Sequence, residues 1–223
     1  MTGDEQAVRI PVGDVELDGD LAHGVTARAL VLFAHGSGSS RHSPRNRFVA
    51  GALREGGLST LLVDLLSPAE EEEDLRTRRL RFDIELLAER LAHITTWLRA
   101  QPATSKQPIG LFGASTGGGA ALVAAARLPD ELGAVVSRGG RPDLAGPALR
   151  SVRAPTLLLV GGLDTEVIEL NRQALEDLRC SKRLEIVPGA SHLFEEPGTL
   201  EQVADRARKW FVTHLVEGAA QTT

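Results

Sequence analysis

The sequence predicts an α/β fold: a mostly parallel sheet sandwiched between helices, with an N-terminal antiparallel hairpin and little or no cap. Three observations predict it. Short apolar runs, read as strands buried on both faces, alternate almost throughout with stretches at helical spacing, and that order builds a parallel sheet covered by helices. The opening stretch instead alternates apolar and polar residues on either side of Gly13-Asp14, as a hairpin does. Only a short segment, about 138–155, separates two of the later strands, which leaves little chain for a cap.

The elements follow in order. Val8, Ile10 and Val12 alternate before the turn, and Val15 and Leu17 resume the pattern on to Leu21. Residues 29–34 are a continuous apolar run ending at His35-Gly36. Residues 45–55 have helical spacing through Phe48 and Ala52 and stop at Gly56-Gly57, a glycine stop. Residues 58–66 read as another buried strand, closed by Pro68. The acidic run from Glu70 to Leu75 reads as a solvated helix start or loop rather than a metal site, because metal ligands must converge from separated elements. Phe82, Leu86, Leu87, Ile94 and Leu98 recur at helical intervals up to Gln101-Pro102. Residues 109–112 form a strand and 120–128 a helix stopped by Pro129. Strands are expected at 134–136, 156–160 and 184–187. A helix at about 166–178 carries Val167, Leu170, Ala174 and Leu178 on one face, and a last helix spans 200–216 before a polar tail from about 217. No internal repeat or linker interrupts the pattern, so one domain is expected over 1–223.

Composition excludes several classes. Hydrophobic residues make up 42% of the 223-residue chain, enough for a substantial core. A net charge of −5 with both signs intermixed gives no reason to expect nucleic-acid or membrane binding. One cysteine, Cys180, cannot form an intrachain disulfide, which suits a reducing compartment. The acidic N-terminus is unlike a signal peptide, and no apolar run approaches the roughly 20 residues of a membrane helix. A cytoplasmic protein is expected, with no cofactor and no metal; the oligomeric state is not legible.

The chemistry is concentrated in Gly113-Ala-Ser115-Thr-Gly117, between the strand at 109–112 and the helix that follows. Gly-x-Ser-x-Gly in a strand–turn–helix context is a nucleophile elbow, which strains the serine backbone and lifts Oγ above the end of the sheet. Flanking glycines are required because side chains there would strike the neighbouring strand or helix. A serine nucleophile needs a base, and the base an orienting acid. Asp164 follows the strand at 156–160, and His192 follows the strand at 184–187. Both therefore fall on the carboxyl rim of the sheet with Ser115, where ligands bind in open α/β sheets. His23, His93 and His214 sit in less suitable elements. Asp143 is the rival acid, although it follows Pro142 and is placed to cap a short helix at 144–150. An oxyanion hole is expected from the backbone N–H of Thr116 and that of Ser37, with Gly38 as the alternative, in the loop His35-Gly36-Ser37-Gly38. His35 reads as a brace for that loop. The glycines at 117–119 lack the lysine of a P-loop and do not form Gly-x-Gly-x-x-Gly. Cys180 has no Cys-x-x-Cys partner and reads as a structural thiol.

With elbow, acid, base and oxyanion loop in this order, the chain resembles the α/β-hydrolase superfamily over nearly its whole length. Within it, the size and the segment Val136-Ser-Arg138-Gly-Gly-Arg141-Pro-Asp-Leu resemble the small dienelactone-hydrolase-like proteins. That resemblance implies a carboxylic-ester hydrolase working through an acyl-enzyme on a small soluble ester or lactone. Dienelactone hydrolases carry a cysteine where this chain has Ser115, a departure that favours serine esterase chemistry over dienelactone itself. Arg138, together with Arg41, is placed to hold an anionic substrate group; equally, Arg138 could pair with Asp143 or Glu195 to brace the loops. A non-catalytic binding module on the same fold, or an acyltransferase, thioesterase or peptidase using the same three residues, are the alternatives.

Overall fold

The computed structural model describes residues 5–24 and 26–218; the tail beyond Gly218 lies outside them. Its strands are β1 (Glu5–Val12), β2 (Val15–Ala22), β3 (Leu30–Ala34), β4 (Ser59–Val63), β5 (Ile109–Ala114), β6 (Leu132–Arg138), β7 (Thr156–Gly161) and β8 (Lys182–Val187). They form one sheet in the order β1-β2-β4-β3-β5-β6-β7-β8. The hairpin β1–β2 joins β4 antiparallel, and every pairing from β4 through β8 is parallel. The helices are α1 (Pro44–Glu55), α2 (Pro68–Thr77), α3 (Ile84–Ala100), α4 (Thr116–Arg127), α5 (Thr165–Asp177) and α6 (Thr199–Phe211), with a π-helical extension over Val212–Glu217.

Strand alternation divides the core into two layers. Leu30, Leu32, Leu111 and Val135 face α3 and α4, where they meet Leu91, Ile94 and Leu122. Val31, Phe33, Phe112 and Val136 face α1 and α6, where they meet Val49, Leu53, Val203 and Phe211. The central strands are buried along their whole length, which explains why they read as continuous apolar runs.

Three expectations change. Phe48 is 44% exposed, and α1 turns Asn46, Val49, Ala50 and Leu53 inward instead. Phe82 is also exposed and lies in a 3-10 turn (Leu80–Phe82) before α3, which starts after the Asp83 cap. The acidic run is more than a solvated segment. It forms α2, opened by a capping box between Ser67 and Glu70, with Glu70 paired to Arg90 at 2.6 Å and Asp74 buried. Between β6 and β7 lies only a 3-10 segment, Pro142–Ser151. Among the described residues no helix is long and apolar enough to cross a membrane.

Candidate active site

Ser115 sits at the junction of β5 and α4 with φ 51° and ψ −122°, a left-handed backbone that costs a non-glycine residue on the order of 1–3 kcal/mol. Its surroundings hold it there. The Ser115 N–H donates to Arg138 O (3.2 Å), and its carbonyl accepts from the N–H groups of Gly118 (2.9 Å) and Arg141 (3.0 Å). The two glycines are steric necessities. A Cβ on Gly113 would lie 2.5 Å from Gly117 O, and one on Gly117 would lie 2.3 Å from Ala34 O.

Asp164 ends the turn after β7 and His192 lies in the loop after β8. His192 Nδ1 and Asp164 Oδ2 are 2.6 Å apart, with the carboxylate the more buried of the pair. Backbone bonds fasten the two loops together, from Gly162 N–H to Val187 O (2.8 Å) and from Leu163 N–H to Ala190 O (2.9 Å). Phe194, two residues on, is buried in the core and anchors the His192 loop, and Glu196 accepts from the Ser191 N–H at 3.0 Å. That bond holds the Glu196 carboxyl below its usual range. A Cβ at Gly139 would lie 3.6 Å from His192 Cε1, and one at Gly36 would lie 3.1 Å from Ser115 Cβ, so base and nucleophile border the same rim. Ser115 Oγ and His192 make no direct hydrogen bond; such contacts often tighten only around substrate.

His23, His35, His93 and His214 are engaged elsewhere. His23 meets Ser59 Oγ at 3.3 Å, and His93 meets Glu89 O at 3.0 Å. His214 packs at a tilt against Trp210, and burial, then the Arg183 charge, push its pKa down. Asp143 is held by Arg141 through two bonds of 2.9 and 2.7 Å. His35 accepts from the Leu65 N–H at Nε2 (3.1 Å), which leaves Nδ1–H to donate to Gly36 O (2.9 Å), and so it ties its own loop to the turn after β4. Ser37 N–H donates to Thr116 Oγ1 at 2.8 Å, so the two residues read as oxyanion donors are joined to each other. Cys180 Sγ lies 3.7 Å from Thr156 Oγ1.

The arginines are placed differently from the anion-binding reading. Arg41 pairs with Asp64 through both its backbone N–H and its guanidinium, and it lies 3.6 Å from Asp20 and 4.0 Å from Asp18. Three carboxylates occupy it. Arg138 pairs with neither Asp143 nor Glu195; Glu195 meets Arg45 instead, at 3.2 Å. Arg138 is buried with its guanidinium 5.8 Å from the Phe194 ring and 3.5 Å from Asn46 Oδ1. Burial, then the charge of Arg45, push its pKa down to about 10. It braces α1 against the His192 loop.

A cavity with about 430 Å³ of open space, mouth included, adjoins the loop at 35–39 and is bounded by α2 and the turn before α3. Arg81 and Asp74 line it; Asp74 fell within the acidic run read as solvated, and Arg81 did not stand out in the sequence. Their only signal was position, in a polar stretch whose partners are fixed by tertiary packing.

A strained serine at a strand–helix elbow beside a histidine–aspartate pair, on this sheet, defines an α/β hydrolase. The chain belongs to the dienelactone hydrolase family, whose sequence profile matches residues 55–215. It is 61% identical to the crystal structure of a dienelactone hydrolase from Anabaena variabilis ATCC 29413, with a TM-score of 0.94 over 95% of this chain and 98% of that one. XC6422 from Xanthomonas campestris, described as an a/b serine hydrolase without lid, shares the fold at 21% identity, with a TM-score of 0.75 and 96% of each chain covered. A curated relative from Mycobacterium tuberculosis (strain ATCC 25618 / H37Rv), named "Putative phosphoribosyl transferase Rv0571c", is 57% identical over 211 residues. Those residues are 95% of this chain and 47% of that protein, so the chain spans about half the length of the curated relatives it matches.

Proposed function

We propose that the protein is a serine hydrolase that cleaves small esters or lactones through an acyl-enzyme. The observation that carries this reading is the 2.6 Å contact of His192 Nδ1 with Asp164 Oδ2, beside a serine held at positive φ. Asp164 keeps the imidazole in the tautomer with a proton on Nδ1, so Nε2 is free to take the Ser115 proton. Ser115 Oγ attacks the carbonyl carbon. The Thr116 and Ser37 N–H groups receive the developing oxyanion, the latter as the Thr116 hydroxyl turns aside. His192 gives the proton to the leaving oxygen, then takes one from the water that releases the acid.

Replacing Ser115 by alanine is expected to lower p-nitrophenyl acetate turnover by at least ~10³-fold while the fold persists. Fluorophosphonate should label the wild-type protein at Ser115 and leave the variant unlabelled. A folded Ser115→Ala protein with wild-type turnover would overturn the mechanism. The phosphoribosyl-transferase name belongs to a protein twice as long, and the N-terminus of α4 gives it little support. Its Gly117 and Gly118 pack against Ala34 O and Ser137 Oγ rather than opening onto a phosphate-sized cradle.

A further inference from the structure

The cavity beside the oxyanion loop carries a donor already fixed in place. Asp74 is 1% exposed and accepts from the N–H groups of Leu80 (2.8 Å) and Arg81 (3.2 Å) and from Arg81 Nε. Arg81 Nη2 returns to Asp74 O at 3.3 Å. One edge of the guanidinium is therefore locked. Nη1 has no partner among the described residues, and it lies 3.3 Å from where a Cβ on Gly38 would stand. It therefore lies close to the loop at 35–39, and Arg81 lines the same cavity as Ser37 and Thr116.

Charge and size narrow what fits there. Arg81 is matched by Asp74, and Asp64 by Arg41, so exposed Glu71 is left as the unmatched charge on the cavity wall. A carboxylate entering would meet that like charge, whereas a neutral oxygen would gain the Nη1 hydrogen bond without it. The cavity is small, about 430 Å³ with its mouth included. Neither Ser115 nor His192 lines this cavity, whereas Ser37 and Thr116, the proposed oxyanion donors, do; the leaving oxygen must instead lie against His192, its proton donor. The cavity therefore receives the acyl side. We infer that Arg81 is a specificity-determining residue and that it reads a neutral oxygen (ether, hydroxyl or carbonyl) on a short acyl chain. This rests on the serine-hydrolase reading.

The test compares p-nitrophenyl methoxyacetate with its isostere p-nitrophenyl butyrate, and both with mono-p-nitrophenyl succinate. The readout is the ratio of kcat/KM values within each enzyme, which cancels intrinsic ester reactivity when enzymes are compared. Arg81→Lys keeps a cation for Asp74 but cannot also present a free N–H at the Nη1 position. It is expected to lower the methoxyacetate-to-butyrate ratio about tenfold, the scale of one hydrogen bond from a charged donor. Glu71→Gln is expected to raise the succinate-to-butyrate ratio several-fold. An unchanged ratio in folded Arg81→Lys overturns the inference. If that variant does not fold, the wild type decides: its methoxyacetate-to-butyrate ratio must exceed that of uncatalysed hydrolysis in the same buffer, and equality overturns the inference. Turnover of none of the esters, with no fluorophosphonate label at Ser115, overturns the hydrolase reading and this inference together.

Discussion

Ser115 is held in its strained conformation by backbone groups of its own neighbours, and Gly117 is where that arrangement has least tolerance. A methyl group there would stand 2.3 Å from Ala34 O and 2.5 Å from His35 O, both backbone atoms that cannot swing away. Overpacking of this kind costs about 1–3 kcal/mol. The atoms that must yield lead directly into the loop proposed to hold the oxyanion. Gly117→Ala is therefore expected to lose about 2 kcal/mol by urea denaturation and at least tenfold in kcat/KM on p-nitrophenyl acetate. Wild-type kcat/KM in the destabilised variant would detach that loop from the chemistry. The elbow, Asp164 and His192 were legible because their spacing relative to strand ends is a property of chain order. The arginines were not. Arg41 and Arg138 stood near the rim in sequence, but their partners, the carboxylates of Asp18, Asp20 and Asp64 for Arg41 and the amide of Asn46 for Arg138, depend on β2, the end of β4 and α1 coming together, and no linear pattern encodes that.

At the level of elements, α2 and the turn after it show how a charge run acquires structure. The run of acidic residues reads as a solvated face, and on Glu71, Glu72 and Glu73 it is one. The next residue, Asp74, is buried and organises the turn that carries Arg81. Burial pushes its carboxyl pKa up, but the bonds from the Arg81 side chain and from the backbone N–H groups of Arg81 and Leu80 outweigh that and hold it below its ordinary value. Because the folded-state pKa is depressed, the stabilisation is complete above the unfolded value, near 4, and is lost as pH falls through the lower folded value. Asp74→Asn is expected to cost about 2 kcal/mol at pH 7, and the gap from wild type should narrow as urea midpoints are taken toward pH 3. A gap of the same size at both pH values would mean that the carboxylate does not carry the interaction. Periodicity alone could not separate buried from exposed positions here. Phe48 and Phe82 fit helical spacing and still face solvent, because spacing gives a period and only packing selects the face.

Across the whole molecule the sheet separates stability from chemistry along a single strand. Gly110, near the start of β5, packs so closely on α6 that a Cβ there would lie 2.7 Å from Phe211 Cε1. Ser115 stands just past the other end of the same strand, about 16 Å away at the rise of an extended chain. Phe211 is fully buried in the layer that joins α1 and α6 to the sheet, so its truncation to alanine removes packing that nothing nearby can replace. Phe211→Ala is expected to cost about 3–5 kcal/mol. Sites this far apart with no shared partners behave independently, so kcat per fluorophosphonate-titrated site should stay within about threefold of wild type at a temperature where the variant is folded. Urea denaturation and active-site titration check the two halves separately. A large loss of kcat per titrated site would show that α6 positions the rim as well as closing the core. The candidate route is then the chain that runs back from α6 through Phe194 to His192.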